Sequence, residues 1–226
     1  LAIRDCTGMQ VLYSDLETNG IVYLNFYFPM ATVAQADLPY AYLLAEMFGA
    51  VDTARHSYAE LAMLRSLYTG GFGADIVAYT RAGEPDSLLP RFKLRAKVLR
   101  ENLPRLFDLL AEIMTESDFS GAKRVRELID EEKTGMELSL QRAANQVVAS
   151  RIAADLMPSG CYAEVGGLPF HDFLRRFKND FTVRHAEMQA AFARILPQIF
   201  NANDLMVSVT APAADYAKIA AGLVSF

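Results

Sequence analysis

Three histidines and two cysteines are the residues of this chain best suited to metal or nucleophilic chemistry, so their spacing decides what they can do. A metal-dependent hydrolase needs two or three nitrogen or oxygen ligands on one ion, usually with two of them a helical turn apart. His56, His171 and His185 are far apart, and none has a second histidine three or four residues away. His56 with Glu60 comes nearest to an i,i+4 pair, but His56 precedes a helix cap at Ser57 and is read as structural or solvent-exposed. His185 beside Glu187 is read the same way. Cys6 and Cys161 have no Cys-x-x-Cys partner and no activating group nearby, which argues against a nucleophilic thiol. No Gly-x-Ser-x-Gly elbow occurs. Gly70-Gly71-Phe72-Gly73 lies between a helix and a strand with no Lys-Ser/Thr after it, so it reads as a close-packed turn or bulge rather than a phosphate cradle. Asp130-Glu131-Glu132 are consecutive on a helix, face different directions, and read as solvated surface.

One segment has a sharper shape. In Arg91-Phe92-Lys93-Leu94-Arg95-Ala96-Lys97-Val98 basic and apolar residues alternate, so a strand here has one cationic and one buried face. Its plain reading is a solvent-facing sheet surface. Its functional reading is a positive wall facing a cavity or the acidic groups of a partner, with Arg91, Lys93, Arg95 and Lys97 as the candidate residues.

These positions must be held by a substantial core. The chain has 226 residues, of which 52% are hydrophobic and 22% charged, with a net charge of −5. That balance excludes a disordered or fibrous chain and leaves no cationic excess for a nucleic-acid backbone. The most apolar run, Gly20 to Ala31, is interrupted by Asn25 and falls short of the roughly 20 residues of a membrane span. No membrane partner is expected, and the apolar surroundings of Cys161 point to a reducing compartment such as a cytosol or organelle matrix.

Periodicity supplies the elements. Gln10 to Asp15 and Ile21 to Met30 read as strands joined in a hairpin at Glu17-Thr18-Asn19-Gly20, where Asn-Gly provides positive-φ positions. Leu38 to Phe48 reads as a helix closed by Gly49, and Ser57-Tyr58-Ala59-Glu60 as a capping box opening another. Gly73 to Thr80 and Arg91 to Leu99 read as extended, with Arg81 to Pro90 as a loop because of Gly83 and two prolines. Helices follow at Leu103 to Met114, Leu128 to Ile152 (ended by Pro158-Ser159-Gly160), Gly167 to Phe177 and Arg184 to Phe200. A last strand covers Leu205 to Thr210, and a helix from about Pro212 carries Tyr216, Ile219, Leu223 and Phe226 inward. With no repeat or linker, this predicts a single α+β domain over residues 1–226: an antiparallel sheet with helices on one face.

Several segments in this order resemble a known family. Thr18-Asn19-Gly20-Ile21, Phe48-Gly49 through Asp52-Thr53 to Tyr58-Ala59-Glu60-Leu61, and Thr69-Gly70-Gly71 form one block. Lys97-Val98-Leu99-Arg100-Glu101-Asn102, Glu112-Ile113, Ser150-Arg151 and Gly166-Gly167-Leu168 form the other. The set resembles the central, peptidase-associated domain of presequence protease-like zinc metallopeptidases of the pitrilysin/insulinase group. The resemblance implies a metallopeptidase-type (LuxS/MPP-like) α+β domain, excised from a longer multidomain polypeptide that closes around a chamber where unfolded peptides are cut. Only the N-terminal domain of that family carries the H-x-x-E-H zinc helix. The equivalent helix here would be Tyr40 to Gly49, with the metal and base positions at Tyr40, Leu43 and Leu44. The resemblance therefore implies no cofactor and no catalytic residue in this chain, zinc in the catalytic domain of the parent protein, and the other domains and a peptide substrate as partners. The main alternative is a free-standing inactive scaffold or binding subunit of a hetero-oligomeric peptidase or processing complex. A third reading, an unrelated enzyme with a dispersed site, has little material in three scattered histidines and two lone cysteines.

Overall fold

Phe92, Leu94, Ala96 and Val98 are buried while Arg95 and Lys97 between them stand in solvent, the period-two signature of a strand with one covered face. The computed structural model describes residues 1–6 and 8–225 and places this segment in a six-stranded sheet. The strands are β1 (Ala2–Cys6), β2 (Met9–Asp15), β3 (Ile21–Pro29), β4 (Phe72–Arg81), β5 (Glu84–Leu99) and β6 (Met206–Ala211). Their order is β1-β2-β6-β3-β5-β4. The helices are α1 (Leu38–Met47), α2 (Tyr58–Tyr68), α3 (Leu103–Glu116), α4 (Ala122–Arg142), α5 (Ala144–Leu156), α6 (Pro158–Glu164), α7 (Leu168–Asn179), α8 (Phe181–Ile199) and α9 (Tyr216–Ser225). The class is α+β, and among the described residues no helix is long and apolar enough to cross a membrane.

The sheet is mixed rather than antiparallel, because β6 runs parallel to β2 and antiparallel to β3. The expected β2–β3 hairpin does not form. Asn19 (φ 52°) and Gly20 (φ 78°) do make the predicted left-handed reversal, but the strand that follows is set one place further off, with β6 between. Burial explains the insertion: Val207, Val209 and Ala211 are fully buried, and a strand this apolar belongs at the sheet centre, flanked by Val11 and Tyr13 on one side and Leu24 and Phe26 on the other.

The predicted loop from Arg81 to Pro90 is also absent. Ala82 and Gly83 (φ 82°) are the whole turn, and β5 resumes at Glu84 and runs for 16 residues. Beyond the Pro29–Arg91 pair β5 has only β4 beside it, so its other side is an edge where prolines interrupt no ladder. Pro90 still contributes as an acceptor, taking the Met30 N–H at 3.1 Å. β1 was not anticipated at all; it pairs with β2 along Ala2–Cys6.

The helices cover the face that carries Leu24, Phe26, Phe28, Phe92 and Leu94. Phe200, just past α8, is set edge-on to both Phe28 and Phe92 at 5.3 Å between centroids, and Phe48 joins them. Gly49 has φ 71°, as a glycine closing α1 must, and the Ser57–Glu60 capping box is formed on both sides. The long helix predicted for residues 128–152 breaks at Ala143 into α4 and α5, and Pro158 opens α6 rather than ending a helix, in keeping with proline's fit to a first helical position. Gly166 allows the start of α7 to approach α1, since a Cβ there would lie 2.3 Å from the Tyr42 ring. In α9 Ile219 and Leu223 are buried and Tyr216 packs on Tyr13 with centroids 4.6 Å apart; Phe226 lies outside the described residues.

Candidate functional site

The face of the sheet opposite the helices carries the basic residues singled out by their alternation, and the structure sorts them into two kinds. Arg91 is only 9% exposed. Its Nη2 lies 2.8 Å from Asp204 Oδ2 and its Nη1 donates to the Asp204 carbonyl at 3.1 Å, so it ties the end of the sheet to the loop before β6. Lys93 is half-buried, with its Nζ 5.8 Å from the centre of the Tyr27 ring, a cation–π contact, and Tyr27 in turn meets Tyr79 edge-on. Arg95 and Lys97 remain open. Arg95 Nε is 3.7 Å from Asp75 Oδ2 with both side chains largely in solvent, a weak pair. Lys97 has no carboxylate partner among the described residues, and its stem lies along Gly70. Together they border a groove of about 430 Å³ with Tyr23, Asn25, Gly71 and Gly73.

The histidines are not brought together. His56 Nδ1 lies 2.9 Å from Glu112 Oε1, His171 Nε2 lies 3.4 Å from Glu137 Oε1, and His185 Nε2 faces the Phe119 carbonyl at 2.9 Å while its ring stacks on Phe181. No group of three His, Cys, Asp or Glu side chains able to hold a metal occurs among the described residues. Cys161 is exposed, against the apolar setting expected from its neighbours, because the short helix α6 presents that side to solvent. Cys6 is half-buried and donates to the Ala220 carbonyl at 3.7 Å. On α1, Leu43 and Leu44 are each 1% exposed, and Tyr40 donates to Glu187 at 3.2 Å with its ring edge-on to Phe173.

Two carboxyl sites escaped the sequence reading. Glu112 on α3 is fully buried and gathers Thr53, His56 and Arg55 from the loop before α2. Glu46 on α1, at an exposed position, has its carboxyl close to that of Glu132 on α4. Burial first, then the charge of Glu132, pushes the Glu46 carboxyl up to about 7. Glu132 is therefore not simply solvated, and Asp130 beside it pairs with Lys178 at 2.6 Å. The signal for Glu46 was its isolation: one charge among Leu43, Leu44, Ala45, Met47 and Phe48.

The raised Glu46 value has a defined consequence. The folded state holds this proton more tightly than the unfolded chain does, so its contribution is complete below about 4.5 and is lost as pH rises through about 7. Glu46→Gln is expected to leave the melting temperature near wild type at about pH 5 and to raise stability by about 1 kcal/mol at about pH 8, after allowance for solvent screening. Thermal melts at the two pH values check this; an equal shift at both would contradict it.

Comparison with known proteins places this architecture. A family model described as Peptidase M-16C associated matches residues 2–177. Protein HypA of Clostridium perfringens is 22% identical over 214 residues, which is 94% of this chain and 22% of that protein. Presequence protease 1, chloroplastic/mitochondrial, of Arabidopsis thaliana is 23% identical over 210 residues, covering 92% of this chain and 19% of that protein. The chain thus spans about a fifth of the length of these curated relatives. A conserved protein from Enterococcus faecalis V583, solved by crystallography, shares the fold with a TM-score of 0.60 at 11% identity, over 95% of this chain and 48% of that one. With the family match running from β1 into α7, the chain belongs to the Peptidase M-16C associated family.

Proposed function

We propose that the chain is a non-catalytic domain of a zinc-dependent metalloendopeptidase that degrades unfolded peptides, and that its open sheet face forms part of the substrate chamber wall. The observation that carries this reading is the family match over residues 2–177, with a presequence protease among the relatives. The core position of Leu43 and Leu44 supports a silent role for α1, and the open cations Arg95 and Lys97 support a face turned toward peptide carboxylates. Neighbouring domains of the same polypeptide are the partners. In support, α5 buries none of its residues, and Val148, Ile152 and Leu156 form an exposed apolar stripe at helical spacing. Relatives about five times longer favour such a domain over a free-standing scaffold.

Metal analysis and peptide-cleavage assays on this chain and on the longer polypeptide test the proposal. The chain alone is expected to hold no stoichiometric zinc and to cleave no peptide, while the longer polypeptide does both. One tightly bound zinc ion per isolated chain, or cleavage by it, would overturn the reading.

A further inference from the structure

The register across the open face is regular. Met206, Tyr27, Lys93 and Asp75 lie side by side in one row; Ser208, Asn25, Arg95 and Gly73 form the next; Thr210, Tyr23 and Lys97 form the one after. In the first row the cation has a carboxylate opposite it. In the second the place opposite Arg95 is Gly73, which has no side chain, so Arg95 leans to Asp75 in the adjacent row at 3.7 Å. Beyond Gly73 the strand turns back through Gly71 and Gly70, and a Cβ on Gly71 would meet nothing within 4 Å. Gly70 has a different part: a Cβ there would lie 2.8 Å from Lys97 Cε, so the lysine stem takes its present path across a position that carries no side chain. Gly71 and Gly73 thus leave the β4 side of the groove open beside the two cations; φ 112° already calls for glycine at Gly71, whereas Gly73 has no positive φ that would account for it.

We propose that the gap opposite Arg95, between Gly73 and Lys97, is a subsite for a carboxylate of an extended peptide, either an acidic side chain or the C-terminal group. The ligand supplies the anion that the row lacks. A planar carboxylate suits the guanidinium fork of Arg95, Lys97 adds a point charge from the next row, and the flat strand backbone beneath leaves room for the peptide chain. The inference rests on the proposed peptide-facing role of this sheet face and adds the chemistry recognised there.

Fluorescence anisotropy with the chain Leu1–Phe226 tests it, using labelled peptides of about ten residues and one neutral base sequence. One peptide carries a central glutamate and an amidated C-terminus, one has only a free C-terminal carboxylate, and one is amidated with no carboxylate. At least one carboxylate peptide is expected to bind about tenfold tighter than the neutral one, with the preference weakening as salt is raised. Preference for the first identifies a side-chain carboxylate, and for the second a terminal one; either supports the subsite. Gly73→Asp places a carboxylate of the protein's own against Arg95 and is expected to abolish the preference, while Gly73→Ala retains it. Arg95→Gln, at a side chain 65% exposed, gives the same loss without touching the backbone. Equal binding of all three peptides would overturn the subsite while leaving a peptide-facing wall. Absence of any binding would overturn both, and an unchanged preference in Gly73→Asp and Arg95→Gln would overturn the assignment to this gap.

Discussion

Glu112→Ala is expected to destabilise the protein by about 3 kcal/mol, the low end of the range for removing one partner of a buried ion pair. The Glu112 side chain is 1% exposed and its two oxygens divide the work. Oε1 accepts a short hydrogen bond from the Thr53 hydroxyl and faces His56 Nδ1 at 2.9 Å; Oε2 faces Arg55 Nη2 at 3.2 Å without hydrogen-bond alignment. Arg55 also reaches Asp108 at 3.1 Å and Glu116 at 3.2 Å, and at 39% exposure it stays partly hydrated when Glu112 is gone, which keeps the cost at the low end. The Thr53 hydroxyl keeps only one other acceptor among the described residues, the His56 carbonyl at 3.1 Å. It also accepts the His56 N–H at 3.0 Å and holds a tight turn, while Asp52 accepts the Tyr58 and Asp118 N–H groups with its side chain and carbonyl. The segment from Asp52 to Ser57 sets the start of α2, and α2 buries only Leu61 itself. Loss of Glu112 should therefore loosen α2 before the sheet. Urea unfolding gives the magnitude, and amide exchange faster in α2 than in β3 gives the location. A loss under about 1 kcal/mol, or uniform exchange, would contradict this account.

That network shows where the sequence was legible and where it was not. Local signals survived folding: alternation marked the burial of Phe92 to Val98, the Ser57–Glu60 spacing marked a cap, and Gly49 marked the end of α1. Each depends on residues within one or two turns of chain. Partner choice does not. β2 and β6 are almost 200 residues apart, and nothing near Asn19-Gly20 says that a strand from the far end of the chain will enter between β2 and β3. Arg81 to Pro90 misled because prolines and charge usually mark loops, whereas here they sit along an edge that leaves their backbone unpaired on one side. Glu112 met its partners 56 and 59 residues upstream, and only its place beside Leu109, Leu110 and Ile113 hinted that it turned inward. For the basic strand, the alternation separated one face from the other, yet the distinction between tied Arg91 and open Lys97 depends on Asp204 and on the glycines of a neighbouring strand.

The same contrast between local pattern and tertiary placement governs α1. Rebuilding H-x-x-E-H there through Tyr40→His, Leu43→Glu and Leu44→His is expected to unfold the domain rather than create a zinc site. Leu43 and Leu44 are each 1% exposed and belong to the main core. Each leucine replaced by a smaller or polar group loses about 2–5 kcal/mol of packing, and the buried carboxylate and imidazole add a desolvation cost. Two such changes together approach the roughly 5–15 kcal/mol that holds an ordinary domain. Tyr40 adds a smaller loss, since its ring contact with Phe173 and its hydrogen bond to Glu187 join α1 to α7 and α8. Zinc could repay the cost only by reaching all its ligands at once, and the two leucine positions are buried in the core, each 1% exposed, where solvent and substrate have little access. Circular dichroism with and without zinc distinguishes the outcomes: loss of the cooperative melt under both conditions is expected. A folded triple variant holding one zinc ion per chain would show that α1 presents these positions to a cavity, and with that the reading of α1 as a purely structural helix would fail.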